Sequence, residues 1–161
     1  SVEERKDPYE FIKIANKILK NHPSDTFTWI GDGPMFNQIQ SENIDVRIKF
    51  IGKINNIKVR KTLVSSDVFL CTSNFEVLPI SILEAVEAGL ILVVKNYHYS
   101  DEITKMFKSS YIYKNTDQIL ELRNNINNLQ LLRDFSLEEA GNVNVVYEKY
   151  KNQIASIFYN N

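Results

Sequence analysis

The residues best suited to chemistry lie between Thr72 and Gly89. Thr72 and Ser73 bring two hydroxyls, and Glu76 and Glu84 bring two carboxylates eight positions apart. A carboxylate offers acceptor oxygens and no donor, which suits it to a vicinal diol such as ribose. Glu84 stands among Ile80, Ile82, Leu83, Ala85 and Val86. There it is either the wet side of an ordinary helix or a group needed by something outside the protein. Twelve glutamates in 161 residues produce about one Glu-x7-Glu match by chance. Placement, not spacing, carries the weight.

Val68–Cys71 reads as a short apolar strand and Pro79–Ala88 as a helix ended by Gly89. Thr72–Leu78 therefore joins a strand's carboxyl end to a helix's amino end, where free N–H groups and the helix dipole suit a phosphate. Pro79 has no N–H, so Val77, Leu78 and Ile80 are the expected donors. Glu84 sits between one and two turns into the helix and can lean back toward the loop.

The elements around this loop follow from hydrophobic spacing and end signals. Asp7-Pro8-Tyr9-Glu10 opens a helix carried by Phe11, Ile14, Ala15 and Ile18. Phe27–Ile30 is a strand, Gly31–Pro34 a turn, and Met35, Phe36 and Ile39 face inward from a second helix. Val46–Ile51 is the next strand, and Ile57–Val64 a helix capped by Asn55 or Asn56. Leu90–Val94 is a continuous apolar strand of the kind buried on both faces of a parallel sheet. Tyr111–Tyr113 is a weaker strand. Ser136 with Glu139 predicts a capping box opening a long helix through Val143, Val146, Tyr147, Tyr150, Ile154 and Phe158. The Asn-rich patch 124–128 marks a loop or helix end. About five strand–helix alternations predict one α/β domain over residues 1–161, a doubly wound, Rossmann-like parallel sheet with closing helices from about 116. Such sheets bind ligands outside the carboxyl ends of their strands. Because the first element is a helix, the alternation also predicts a strand ahead of it.

Composition narrows the function classes. A net charge of −1 without a dense basic block argues against nucleic acid as a partner. The single cysteine, Cys71, excludes an internal disulfide, fits a reducing compartment and reads as a core residue. No apolar run reaches the length of a membrane span and no signal peptide opens the sequence, which predicts a cytoplasmic chain. His22 and His98 lack partners at ligand spacing, as do Asp32 and Asp67, so no metal or cofactor is expected. Tyr97 and Tyr99 read as a packed loop.

The stretch from Ser73 through Glu76, Glu84, Ala85 and Gly89 to the strand Leu90–Val94 resembles the nucleotide-sugar half of family-4-type retaining GT-B glycosyltransferases. Four other segments resemble the family in the right order: Arg5-Lys6-Asp7-Pro8, Trp29-Ile30-Gly31-Asp32-Gly33-Pro34, Phe50-Ile51-Gly52-Lys53-Ile54 and Glu102-Ile103. They cover roughly residues 5 to 105. The resemblance implies half of a GT-B fold whose partner is a nucleoside-diphosphate sugar, with an N-terminal acceptor domain elsewhere. It implies catalytic roles for Lys6, on the diphosphate leaving group, and Glu76, on the transferred sugar. It places Glu84 on the ribose, Thr72, Ser73, Val77 and Leu78 near phosphates and sugar, and Ile54 with Lys53 against the base. Membrane association of the whole protein, peripheral at the cytoplasmic face, is compatible with it.

Two departures separate the chain from the family pattern. Val77 stands where the family carries Gly after the first Glu, and the family's clamping Arg would fall near Ser1 or ahead of it. Arg5 is the available substitute, although on a regular turn an adjacent residue points elsewhere. These departures keep a second reading in view, a non-catalytic binding or assembly domain; a GT-B epimerase or phosphorylase domain is a third. A nicotinamide-binding domain is disfavoured, because "GDGPMF" lacks the third glycine of Gly-x-Gly-x-x-Gly.

Overall fold

A computed structural model describes residues 1–142 apart from Ile44, Val77, Leu78 and Tyr99, together with Asn144 and Glu148. A short 3-10 turn, Glu4–Lys6, leads into α1 (Pro8–Asn21). Then follow β1 (Phe27–Trp29), α2 (Phe36–Glu42), β2 (Ile48–Phe50), α3 (Asn56–Val64), β3 (Val68–Cys71), α4 (Ile80–Glu87) and β4 (Ile91–Lys95). The described elements close with α5 (Ser100–Met106), β5 (Ser110–Tyr113), α6 (Thr116–Asn124) and α7 (Ile126–Gly141). Every strand pair is parallel, as the alternation of strands and helices predicts.

The strands form two sheets where the sequence predicts one. β1 pairs with β2, β3–β4–β5 form the second sheet, and no ladder joins β1 to β3. The core is shared nonetheless. Phe11, Ala15 and Leu19 of α1 pack with Ile39 of α2 and with Ile48 and Phe50 of the first sheet. Ile14 and Ile18, on the same helix, pack with Ile91, Val93 and Tyr113 of the second. Phe11 stands edge-on to Trp29, 5.1 Å between ring centres, and Trp29 stacks on Phe50. β4 is buried along Ile91–Val94, which is why it reads as an unbroken apolar run.

Two glycines are dictated by geometry. Gly89, at φ 73°, lets the chain leave α4 and enter β4 through Leu90, whose amide donates to the Ala85 carbonyl. A Cβ on Gly33 would lie 2.4 Å from the Val2 carbonyl oxygen, so the backbone passes Val2 only because that atom is missing.

Two local expectations change and a third is narrowed. β2 begins at Ile48, two residues later than the apolar pattern suggests, and Val46 is exposed. Asn55, the first of the two candidates, caps α3. Ser136 and Glu139 do not open a helix, because both lie inside α7, which Asn125 caps from the Asn-rich patch. Ser136 donates to the Arg133 carbonyl, while Glu139 accepts from the Lys108 amide and the Ser109 hydroxyl. A tertiary tie across the fold thus looks like a cap in sequence. The continuation through 143–158 lies outside the described residues, apart from Asn144 and Glu148. Among the described residues no helix is long and apolar enough to cross a membrane.

Candidate active site

Three segments meet: the turn ahead of α1, the β3–α4 loop and the end of β4. Asp7 begins the arrangement. It adopts a left-handed conformation, φ 50°, which Asp tolerates better than most residues. Its carboxylate accepts the Glu10 amide and caps α1, as the helix-opening motif predicts. The other carboxylate oxygen accepts Lys95 Nζ at 2.8 Å, and the same ammonium donates to Asn74 Oδ1 at 2.7 Å. The Asn74 amide donates to the Arg5 carbonyl at 2.9 Å, and the Thr72 hydroxyl to the Lys6 carbonyl at 2.7 Å. Lys95 therefore ties all three segments together.

This lacing brings Arg5, Lys6 and Glu76 together. Arg5 Nη1 donates to Glu76 Oε1 at 2.9 Å, and Lys6 Nζ donates to the same oxygen. The Glu76 side chain is 9% exposed, that of Lys6 21% and that of Arg5 48%. Adjacent residues on an α-helix would diverge. Arg5 and Lys6 converge because they lie in a 3-10 turn that the β3–α4 loop grips by its backbone, which corrects the expectation that Arg5 points elsewhere. The Glu76 carboxylate also holds the Arg5 guanidinium more firmly in its charged form.

Glu84 has the opposite environment. It is exposed, and its carboxylate has no hydrogen bond or ion pair among the described residues. It lines a groove of about 1020 Å3 together with Ser1, Lys6, Thr72, Ser73 and Ser81. Pro79, the N-cap of α4, offers no side-chain acceptor; its carbonyl takes the Ile82 amide, and no side chain caps the helix start. The groove lining thus combines a fixed ammonium, a helix start without a side-chain cap and a free carboxylate.

Thr72 and Ser73 line the groove too, whereas Lys53 and Ile54 fall elsewhere. Thr72 and Ser73 are buried, and the Thr72 proton is engaged by Lys6. Lys53 and Ile54 lie in the β2–α3 loop and are not among the residues lining the groove. Val77, Leu78 and Tyr99 lie outside the described residues. Cys71 is buried, and burial pushes its thiol up, as befits a core residue. His22 caps the carboxyl end of α1 and bonds Asn124. Tyr97 is half-buried, and its hydroxyl lies in the interior without a partner among the described residues. No three His, Cys, Asp or Glu among the described residues cluster as metal ligands would. Lys95 and Asn74 escape sequence reasoning; the one available signal is a lysine ending an otherwise apolar strand.

The described geometry has counterparts among known proteins. The family model for glycosyl transferases group 1 matches residues 1–140. An Escherichia coli UDP-Gal:alpha-D-GlcNAc-diphosphoundecaprenol alpha-1,3-galactosyltransferase is 32% identical over 108 residues, covering 63% of this chain and 27% of that protein. The GPI3 subunit of the Saccharomyces cerevisiae phosphatidylinositol N-acetylglucosaminyltransferase is 29% identical over 85 residues, covering 50% of this chain and 19% of its own. Among solved structures, WaaG, a glycosyltransferase involved in lipopolysaccharide biosynthesis, matches with TM-score 0.72 at 17% identity, covering all of this chain and 45% of WaaG. The pneumococcal O-GlcNAc transferase GtfA, solved with UDP and GlcNAc, matches with TM-score 0.68 at 20% identity, covering 98% of this chain and 34% of its own. This chain thus spans less than a third of these curated relatives and has the α/β fold of GT-B glycosyltransferases. It belongs to the glycosyl transferases group 1 family.

Proposed function

We propose that this chain is the donor-binding part of a retaining glycosyltransferase of the family-4 type, which moves a sugar from a nucleoside diphosphate to an acceptor held by another part of the protein. The observation that carries the reading is the pairing of Arg5 and Lys6 on one buried carboxylate, near a start of α4 without a side-chain cap and the free carboxylate of Glu84. A diphosphate needs cations and amides, and a ribose needs acceptors. Lys6 and Glu84 line the groove, and Arg5 meets Lys6 at Glu76 beside it.

In this reading the donor diphosphate displaces Glu76 from the two cations. As the bond from anomeric carbon to phosphate oxygen breaks, its electron pair stays on the diphosphate, and Lys6 and Arg5 meet the added charge. Glu76, freed from the cations, approaches the transferred sugar, and Glu84 accepts the ribose hydroxyls. Arg5 takes the part of the family's upstream arginine, so of the two departures only Val77 still favours a domain without transfer. No metal is assigned a role, because cations of the chain supply the charge.

The test is calorimetric titration of the chain with UDP, GDP and ADP, repeated on Glu84→Ala. One diphosphate is expected to bind. The variant should bind it at least about tenfold more weakly, the loss that goes with about 1.4 kcal/mol of ribose contacts. Equal binding of UDP, GDP and ADP by chain and variant alike, or binding of none, would sink the reading.

A further inference from the structure

We propose that the outer face of α3 docks on an anionic lipid bilayer, with Ile57 and Val64 turned to the acyl chains and Lys58, Arg60 and Lys61 among the headgroups. Residues 46–66 hold six of the chain's 19 Lys and Arg and none of its 20 Asp and Glu. In sequence these cations are spaced apart and form no block. The helix gathers three of them. Ile57, Arg60, Lys61 and Val64 are related by steps of three and four, which stacks them on one face, and Lys58 stands one turn from Lys61.

Exposure follows the same division. All five side chains are exposed, Ile57 at 70% and Val64 at 65%. The opposite face, Val59, Thr62 and Leu63, is half-buried and lines the groove. A single exposed aliphatic is ordinary on a surface. Here two share one stripe with cations. None of the three cations has an ion pair or a side-chain hydrogen bond among the described residues. Nor do they serve the helix itself. Its first turn carries no acid, Lys58 stands there against the dipole, and Lys58 and Lys61 repel each other across one turn. Charge that the fold does not use is available to an outside anion.

A bilayer matches both components of the face. Anionic headgroups attract Lys and Arg, whose long stems reach out to them while aliphatic side chains sink toward the lipid tails. A soluble polyanion would engage the cations and leave Ile57 and Val64 in water. The rest of the chain, which carries every one of its 20 acids, would repel such a polymer. Docked on this face, α3 puts the bilayer about 10 Å from the groove on its other side, one helix diameter. The face shares no residue with the proposed donor site, so neither proposal rests on the other.

Vesicle co-sedimentation of the 161-residue chain tests this at about 0.1 M salt, with phosphatidylcholine alone and with about one-third phosphatidylglycerol added. The mixed vesicles are expected to take up the chain at least about tenfold better. Lys61→Gln should weaken that binding about fivefold, the factor that goes with about 1 kcal/mol per cation at the surface. Lys20→Gln removes an exposed cation of α1 and should change it by less than about twofold. Ile57→Ser combined with Val64→Ser keeps every charge and should weaken it by more than about fivefold, because a bilayer rewards the aliphatics. Urea midpoints of the variants should match the parent chain, since every altered side chain is exposed. Equal uptake by both vesicles, uptake by neither, or equal losses from Lys61→Gln and Lys20→Gln would overturn the proposal. So would a double serine variant that binds the mixed vesicles as well as the parent chain, because the face would then read any polyanion.

Discussion

Replacing Glu76 by Gln keeps an acceptor where the two cations converge and removes its charge. Oε1 takes Arg5 and Lys6 together. The Arg5 arm is half-exposed, in the range where ion pairs contribute about 0–1 kcal/mol. The Lys6 arm is better shielded; a bond to a charged group contributes about 1.5–3 kcal/mol and a neutral one about half of that. Glu76→Gln should therefore destabilise the chain by roughly 1–2 kcal/mol, or about 2–8 °C in Tm for a domain of this size. Binding should move the other way. The cations lose the internal anion that a diphosphate must displace, so UDP should bind up to roughly tenfold more tightly, 1.4 kcal/mol being a factor of ten. A UDP-sugar should gain less, because the variant also removes the proposed sugar contact. Thermal melts and calorimetry at neutral pH read both quantities. An unchanged Tm, or weaker UDP binding by the variant, would refute the reasoning.

Gly33→Ala places a methyl 2.4 Å from the Val2 carbonyl oxygen, and the forced backbone shift should lower stability by about 1–3 kcal/mol in urea unfolding; an unchanged midpoint would contradict the close approach. Lys95→Met removes the bonds to Asp7 and Asn74 and should destabilise the chain by about 0.5–1.5 kcal/mol, because Asp7 keeps the Glu10 amide and Asn74 is exposed to water. Lys95→Arg should recover part of that loss, and equal stability of all three chains would remove the tie between segments. Acid unfolding should report the pair between Asp25 and Arg123. Hydrogen bonds from Arg123 hold the Asp25 carboxyl below its ordinary value of 3.8. Its contribution is therefore present above that value and lost as pH falls through the lower, folded one. Asp25→Asn should flatten the stability profile in that acid window, and an unaltered profile would exclude the pair.

Fold class was legible because β4 is an apolar run, the helices repeat at helical spacing, and Asp7, Asn55 and Gly89 mark ends by local chemistry. The division into two sheets was not legible, since pairing between strands distant in sequence leaves no local trace. Ser136 and Glu139 misled for a related reason: a cap and a tertiary tie from Glu139 to Ser109 use the same residue types. Of the candidate site, Glu84 stood out by placement, and Lys6 and Glu76 were proposed from the family resemblance. Their environments were not legible. Nothing in the spacing says that Glu76 is buried under two cations while Glu84 stands free, or that a 3-10 turn aims Arg5 at the carboxylate Lys6 also reaches. Lys95 and Asn74 act through loop geometry, which composition does not encode.

The central claim is that the carboxyl ends of these strands receive a nucleoside diphosphate. Amide chemical shifts followed during a titration with UDP test it most directly, with GDP and ADP run alongside. The account predicts saturable shifts with one of the three, clustered at Lys6, Thr72–Glu76 and Ile80–Glu84, while α7 stays still. Shifts scattered over the surface, shifts centred on α6 and α7, or none with any of the three would contradict it.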